Sequence, residues 1–190
     1  MAATAQPQQE KTLLMTEGSI WKSILLFSVP LILGNLLQQL YNTVDSIVVG
    51  NFVGKEALAS VGGSASTIIN LLVGFFVGLS SGATVIISQY YGADNRRRVS
   101  DSVHTAIALA IAGGVVIMLI GLVSARFALT AMGTPDDILS LSLTYMKIYY
   151  LGTIQSMIYN MGSGILRAVG DSKRPLYFLI ASCLVNIVLD

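Results

Sequence analysis

Four stretches of this chain, residues 23–44, 57–93, 102–125 and 148–166, contain no Asp, Glu, Lys or Arg. Each approaches or exceeds the ~20 residues that a helix needs to cross the hydrocarbon of a bilayer. A fifth apolar run begins at Pro175 and continues to Leu189. The chain is 54% apolar and 11% charged, against roughly 25% charged in a typical soluble domain, so lipid is the natural surrounding of these runs. In hydrocarbon the backbone has no water to bond, and a spanning segment must satisfy its own N–H and C=O groups. Runs of this length do so as helices. The expected fold is an all-α multi-pass membrane protein with a cytoplasmic tail at 1–19 and helices over 20–50, 60–91, 101–126, 136–168 and 174–190. The last run is only about 15 residues long, which would leave Asp190 and a terminal carboxylate at membrane depth. The chain is therefore expected to be part of a longer protein.

The first run is not uniformly oily. In NLLQQLYNTVDSIV, from Asn35 to Val48, helical spacing gathers Asn35, Gln38, Gln39, Asn42, Asp45 and Ser46 within an arc of roughly 120°. Leu36, Leu37, Leu40, Val44, Ile47 and Val48 take the other side. One face suits lipid and the other a polar interior, so Asn35, Gln38, Gln39 and Asn42 are candidates to line a cavity.

The remaining global features exclude several functions. A net charge of +1 with one short basic run, Arg96 to Arg98, does not provide the clustered cations that nucleic acid requires; that run is expected in a solvated loop. The single cysteine, Cys183, rules out a disulfide or thiolate metal site within these residues and suits a small core position. There is no nucleophile elbow, phosphate-binding glycine loop or metal-ligand cluster, so an enzyme, a cofactor and a bound structural metal are not expected. The first residues lack the pattern of a cleaved signal peptide.

Basic residues set the expected orientation. With the amino terminus in the cytoplasm, Lys11, Lys22, Arg96, Arg97, Arg98, Arg167, Lys173 and Arg174 lie inside, and only Lys55, Arg126 and Lys147 of the 11 cations lie outside. Thr134-Pro135-Asp136-Asp137 reads as a helix cap, a proline at the first helical position and two acids at the positive end of the helix dipole. Trp21, Tyr90 and Tyr91 fall at expected interfaces. Gly74, Gly78 and Gly82 make overlapping small-xxx-small repeats that suit close helix packing, with Gly162 and Gly164 in a similar role. Asn70, Gln155 and Asn160 are expected to bond between helices, and His104 to be a solvated interfacial residue.

The intramembrane carboxylates carry the strongest chemical signal. An Asp at the centre of a membrane helix costs ~2.5–3.5 kcal/mol on insertion scales, so it faces protein or water. Asp45 lies on the polar arc. Ser182, Asn186 and Asp190 recur at i, i+4 and i+8 on the fifth run and share one helix face. Two acids and an amide converging in low dielectric suit a proton or a hard cation, H⁺ or Na⁺. The alternative is a buried hydrogen-bond cluster that sets helix register. Pro30 removes one helical hydrogen bond and crowds the preceding turn. A static kink is one reading of it; a hinge that swings the polar stripe is the other.

DSIVVGNFVGKEALASVG (Asp45 to Gly62), ILRAVGDSKRP (Ile165 to Pro175) and NIVLD (Asn186 to Asp190) resemble, in this order, motifs of the multidrug and toxic compound extrusion (MATE) family of cation-coupled antiporters. The likeness runs from about Glu17 to the end. It implies twelve helices in two six-helix lobes around a substrate cavity, with this chain supplying part of the amino-terminal lobe and the rest in a missing C-terminal part. It further implies a cation site of Asp45, Asn186 and Asp190, and bending of the first helix about Pro30. The expected protein is a monomeric antiporter of the plasma membrane, surrounded by lipid, that exports small organic, mainly cationic, drugs or metabolites in exchange for H⁺ or Na⁺. A lipid-linked oligosaccharide flippase of the same superfamily is the alternative. It should show a basic central cavity, which these helices lack. A ligand-gated receptor or an intramembrane hydrolase is a more distant rival.

Overall fold

The computed structural model describes residues 19–189. Residues 1–18 and Asp190 lie outside it, and with them nearly all of the expected tail and one member of the expected cation set. The described residues are helical throughout apart from short connections: α1 (Ile20–Val48), a π-helical turn (Val49–Val53), α2 (Lys55–Gly62), α3 (Ser64–Gly92), α4 (Arg96–Ala131), α5 (Asp136–Leu151), α6 (Thr153–Ala168) and α7 (Lys173–Leu189). Three segments, Trp21–Val53, Lys55–Gly92 and Arg96–Ala131, are long and apolar enough to cross a membrane. Helix α5 and helix α6 are separated by a single residue. Gly152, the one residue between them, has near-helical angles (φ −80°, ψ −4°), and its N–H is shared between Ile148 O and Tyr149 O at 3.3 and 3.0 Å. The expected helix at 136–168 is thus interrupted for one residue, at a Gly-Thr pair of the kind that kinks helices.

Two apolar clusters hold α3, α4, α5 and α6 together. Ala65, Ala125, Leu129, Met146 and Tyr150 form the one at the start of α3 and the end of α4. Phe76, Ala106, Ala110, Met157 and Met161 form the other, where α6 lies against α3 and α4. The small residues allow close helix approach; of those expected to do so, Gly164 does, and Gly74, Gly78, Gly82 and Gly162 do not. A Cβ on Gly74, Gly78 or Gly82 would meet nothing within 4 Å. The tight crossings are at Gly164, backed on Ser80 and Thr84, at Gly121, under the Tyr150 ring, and at Gly114, where a Cβ would come 2.9 Å from the Ile154 backbone. Buried hydroxyls add polar contacts between α3 and α6 and between α5 and α2. Ser80 Oγ donates to Asn160 O at 2.7 Å and Ser142 Oγ to Ser60 O at 3.3 Å. The Asn160 side chain instead bonds Ser156 O on its own helix, at 2.8 Å, and Asn70 and Gln155 are exposed.

The connections explain two of the sequence motifs. After α6, Gly170 has φ +86°, and the N–H groups of Gly170 and Asp171 bond Arg167 O and Leu166 O at 3.0 and 2.9 Å; a left-handed glycine closing the last helical carbonyls is what this turn requires. Asp171 Oδ1 then accepts from the N–H groups of Lys173 and Arg174, both at 3.1 Å, satisfying donors that the first turn of α7 leaves open. At the other end of the bundle the π-helical turn ends at Gly54, φ +113°. Two local expectations are corrected. Pro135, not Thr134, occupies the cap position of α5, and the buried Thr134 Oγ1 has no hydrogen bond. Arg96, Arg97 and Arg98 form the first turn of α4 rather than a loop, because Asn95 caps the helix by accepting from Arg98 N at 3.1 Å.

Candidate functional site

Helix α1 packs chiefly against α7, and this pair carries the expected cation-coupling residues. Gly34 faces Leu176 and Leu179, one turn after Pro30, which lies inside α1. Seven residues further along α1, Tyr41 meets Asn186: the amide Nδ2 donates to the phenol oxygen at 3.4 Å. Contacts that advance together on both helices make the pair parallel. They also fix its stagger. Counted at 1.5 Å per residue, Gly34 is about 18 Å beyond Lys22, whereas Leu176 and Leu179 are about 2–6 Å beyond Pro175. The two helices are therefore offset by about 14 Å, so residues of unequal sequence distance from the membrane surface meet at one level.

Asn186 is only half satisfied. Its Oδ1 is buried and has no hydrogen-bond partner, a condition that costs about 1–3 kcal/mol when nothing occupies it. Asp45 is partly buried, one turn beyond Tyr41, and its carboxylate lies within electrostatic reach of the Tyr145 phenol on α5. The group can thus offer carboxylate, carboxamide and phenol oxygens to a proton or a hard cation. Among the described residues there is no cluster of three His, Cys, Asp or Glu side chains that could hold a metal.

Asn35, Gln38, Gln39 and Asn42 are exposed along the polar stripe of α1. Leu36, Leu40 and Ile47 on the other side are exposed as well, so the described residues cover neither face. Asp190 lies outside the described residues. Tyr41 and Tyr145 are additions that sequence reasoning missed. Tyr41 had a readable signal, since it stands four residues before Asp45 on one helical face. Tyr145 had none, because it stands on a helix distant in sequence from Asp45.

Apolar spans, a half-buried carboxylate and a parallel helix pair carrying a buried, unpartnered amide oxygen describe a polytopic membrane protein. Residues 30–190 match the MatE family model, and the chain belongs to that family. It is 37% identical over 174 residues to the probable multidrug resistance protein YoeA of Bacillus subtilis, covering 92% of this chain and 37% of that protein. It is 33% identical to the probable multidrug resistance protein YpnP of the same organism, covering 92% and 39%. Among solved structures, a MATE protein in the straight conformation superposes with a TM-score of 0.86 at 28% identity, covering 95% of this chain and 40% of that one. A MATE protein in the bent conformation gives 0.82 at 28% identity, covering 91% and 38%. The chain spans less than half the length of these relatives.

Proposed function

We propose that the complete protein is a secondary active antiporter that exports small organic, mainly cationic, compounds in exchange for H⁺ or Na⁺. Asp45, Asn186 and Asp190 form the coupling site, Pro30 is the hinge of α1, and Asn35, Gln38, Gln39 and Asn42 line the substrate cavity. The observation that carries this reading is the parallel register of α1 and α7. Gly34 faces Leu176 and Leu179, Tyr41 bonds Asn186, and one further turn along each sequence is Asp45 on one helix and Asp190 on the other. Two carboxylates about 5 Å apart repel by about 3 kcal/mol at an effective dielectric of 20. A shared proton or a bound cation relieves that repulsion and also engages the open Asn186 oxygen. The two are taken up and released as a unit.

Multidrug resistance is what the name of YoeA gives and export what the name of Staphylococcus aureus MepA gives, and the straight and bent conformations of a solved MATE protein support a fold with two shapes. Ion binding and substrate binding each favour one of them, and that difference is the coupling. The protein acts as a monomer in the plasma membrane with its amino terminus in the cytoplasm, and it needs no cofactor and performs no covalent chemistry. The test is efflux by Asp45→Asn and Asp190→Asn in the full-length protein at matched expression. Each should abolish ion-driven efflux and leave membrane insertion intact, because an amide cannot exchange a proton and is a weaker cation ligand. Wild-type rates in both variants would reduce these residues to structural polar contacts.

A further inference from the structure

A groove of about 870 Å³ opens between α3 and α4, at the end of the bundle where α4 begins. Gly78, Leu79, Gly82 and Ala83 line it along α3 above the buried Ile87, Ala106 and Met161, and the glycines that failed to serve as packing contacts are what keep it open. Its outer walls include Ile86 and Leu109, which are 50% and 53% exposed, so the groove is apolar along its open side. Its mouth is cationic. Arg97 and Arg98 line it together with Asn95 and Tyr90. Arg98 Nη1 donates to Tyr90 Oη at 3.2 Å, and the guanidinium stands 5.5 Å from the ring centroid, which holds it over the opening. Arg96 turns away to Asp94, 3.7 Å distant. Asp101 also lines the mouth, one turn into α4, leaving an excess of one positive charge there in addition to the positive end of the helix dipole.

We propose that this groove binds an anionic phospholipid, with the phosphate between Arg97 and Arg98 and an acyl chain along Gly78 and Gly82. Three cations in the first turn of a helix, with no acid among them, oppose the helix dipole; an anion at the mouth relieves the conflict. The apolar lining selects a lipid rather than a free phosphate, since an inorganic anion has no use for it. A basic pocket between membrane helices is a recurring lipid headgroup site. The inference rests on the bilayer location of these helices and not on ion coupling.

Native mass spectrometry of the full-length protein in mild detergent, with equimolar phosphatidylglycerol and phosphatidylethanolamine, tests it without reference to transport or to orientation. The wild type should retain phosphatidylglycerol with a preference on the order of tenfold. Arg97→Gln with Arg98→Gln should bring the two lipids to parity, whereas Lys22→Gln with Lys173→Gln should leave the preference unchanged. Gly82→Leu, which places a side chain in the open groove, should lower retention of both lipids. If the double arginine variant is poorly produced, the single variants should each give an intermediate ratio. Equal retention by the wild type, a preserved preference without the arginines, retention unaffected by Gly82→Leu, or displacement of the lipid by millimolar inorganic phosphate would each overturn the proposal.

Discussion

The Asn186 amide on α7 donates to the Tyr41 hydroxyl on α1 at 3.4 Å while its own oxygen stays buried without a partner. This contact joins the two helices one turn before Asp45. Tyr41→Phe removes the acceptor and leaves the ring, so it should free the amide and weaken the α1–α7 register by about 1 kcal/mol. The full-length variant should show a severalfold lower efflux rate with normal insertion. Unchanged efflux across a range of imposed ion gradients would separate Tyr41 from the coupling site.

Glycine substitutions should divide by helix face rather than by motif. A side chain at Gly164 runs into Ser80 and Thr84, and one at Gly121 into the Tyr150 ring, whereas one at Gly78 enters open space. Gly164→Val and Gly121→Val should each cost about 1–3 kcal/mol through overpacking. Gly78→Ala should fall within about 0.5 kcal/mol of the wild type. Thermal unfolding in detergent reads the difference, and equal melting temperatures for all three would contradict the packing described.

The α6–α7 turn should be sensitive at Asp171, which satisfies two backbone N–H groups and pairs with Arg174 Nε at 3.2 Å. Asp171→Ala should cost about 1 kcal/mol, the usual value of a helix-start acceptor. Asp171→Asn should retain most of that stability, since its oxygen can still accept. If the two variants unfold together, the backbone bonds are not what the aspartate contributes.

Orientation is open to direct labelling. In a Cys183→Ser background, a cysteine at Arg97 should react with an impermeant maleimide only after permeabilisation, and one at Lys55 should react in intact cells. The reverse pattern would place the basic end of the bundle outside and refute the proposed topology.

Membrane residence and helical class were legible in the sequence because they depend on local, additive properties. The charge-free runs from 23 to 166 declare their solvent by composition and length, and no tertiary contact can reverse that. The polar arc from Asn35 to Ser46 was equally legible, since helical periodicity alone brings those positions to one face. Which glycines would be packed was legible only in part. Gly164 packs as expected, whereas Gly74, Gly78 and Gly82 have the pattern of a packing seam and Gly114 and Gly121 carried no such expectation. Yet Gly114 and Gly121 lie under neighbouring helices and the three seam glycines under none, because the position of a partner helix is a property of the whole bundle. The Tyr41–Asn186 bond and the stagger of about 14 Å between α1 and α7 belong to the same category. Each joins residues far apart in the chain, and the spacing along one helix carries no information about the height at which another crosses it.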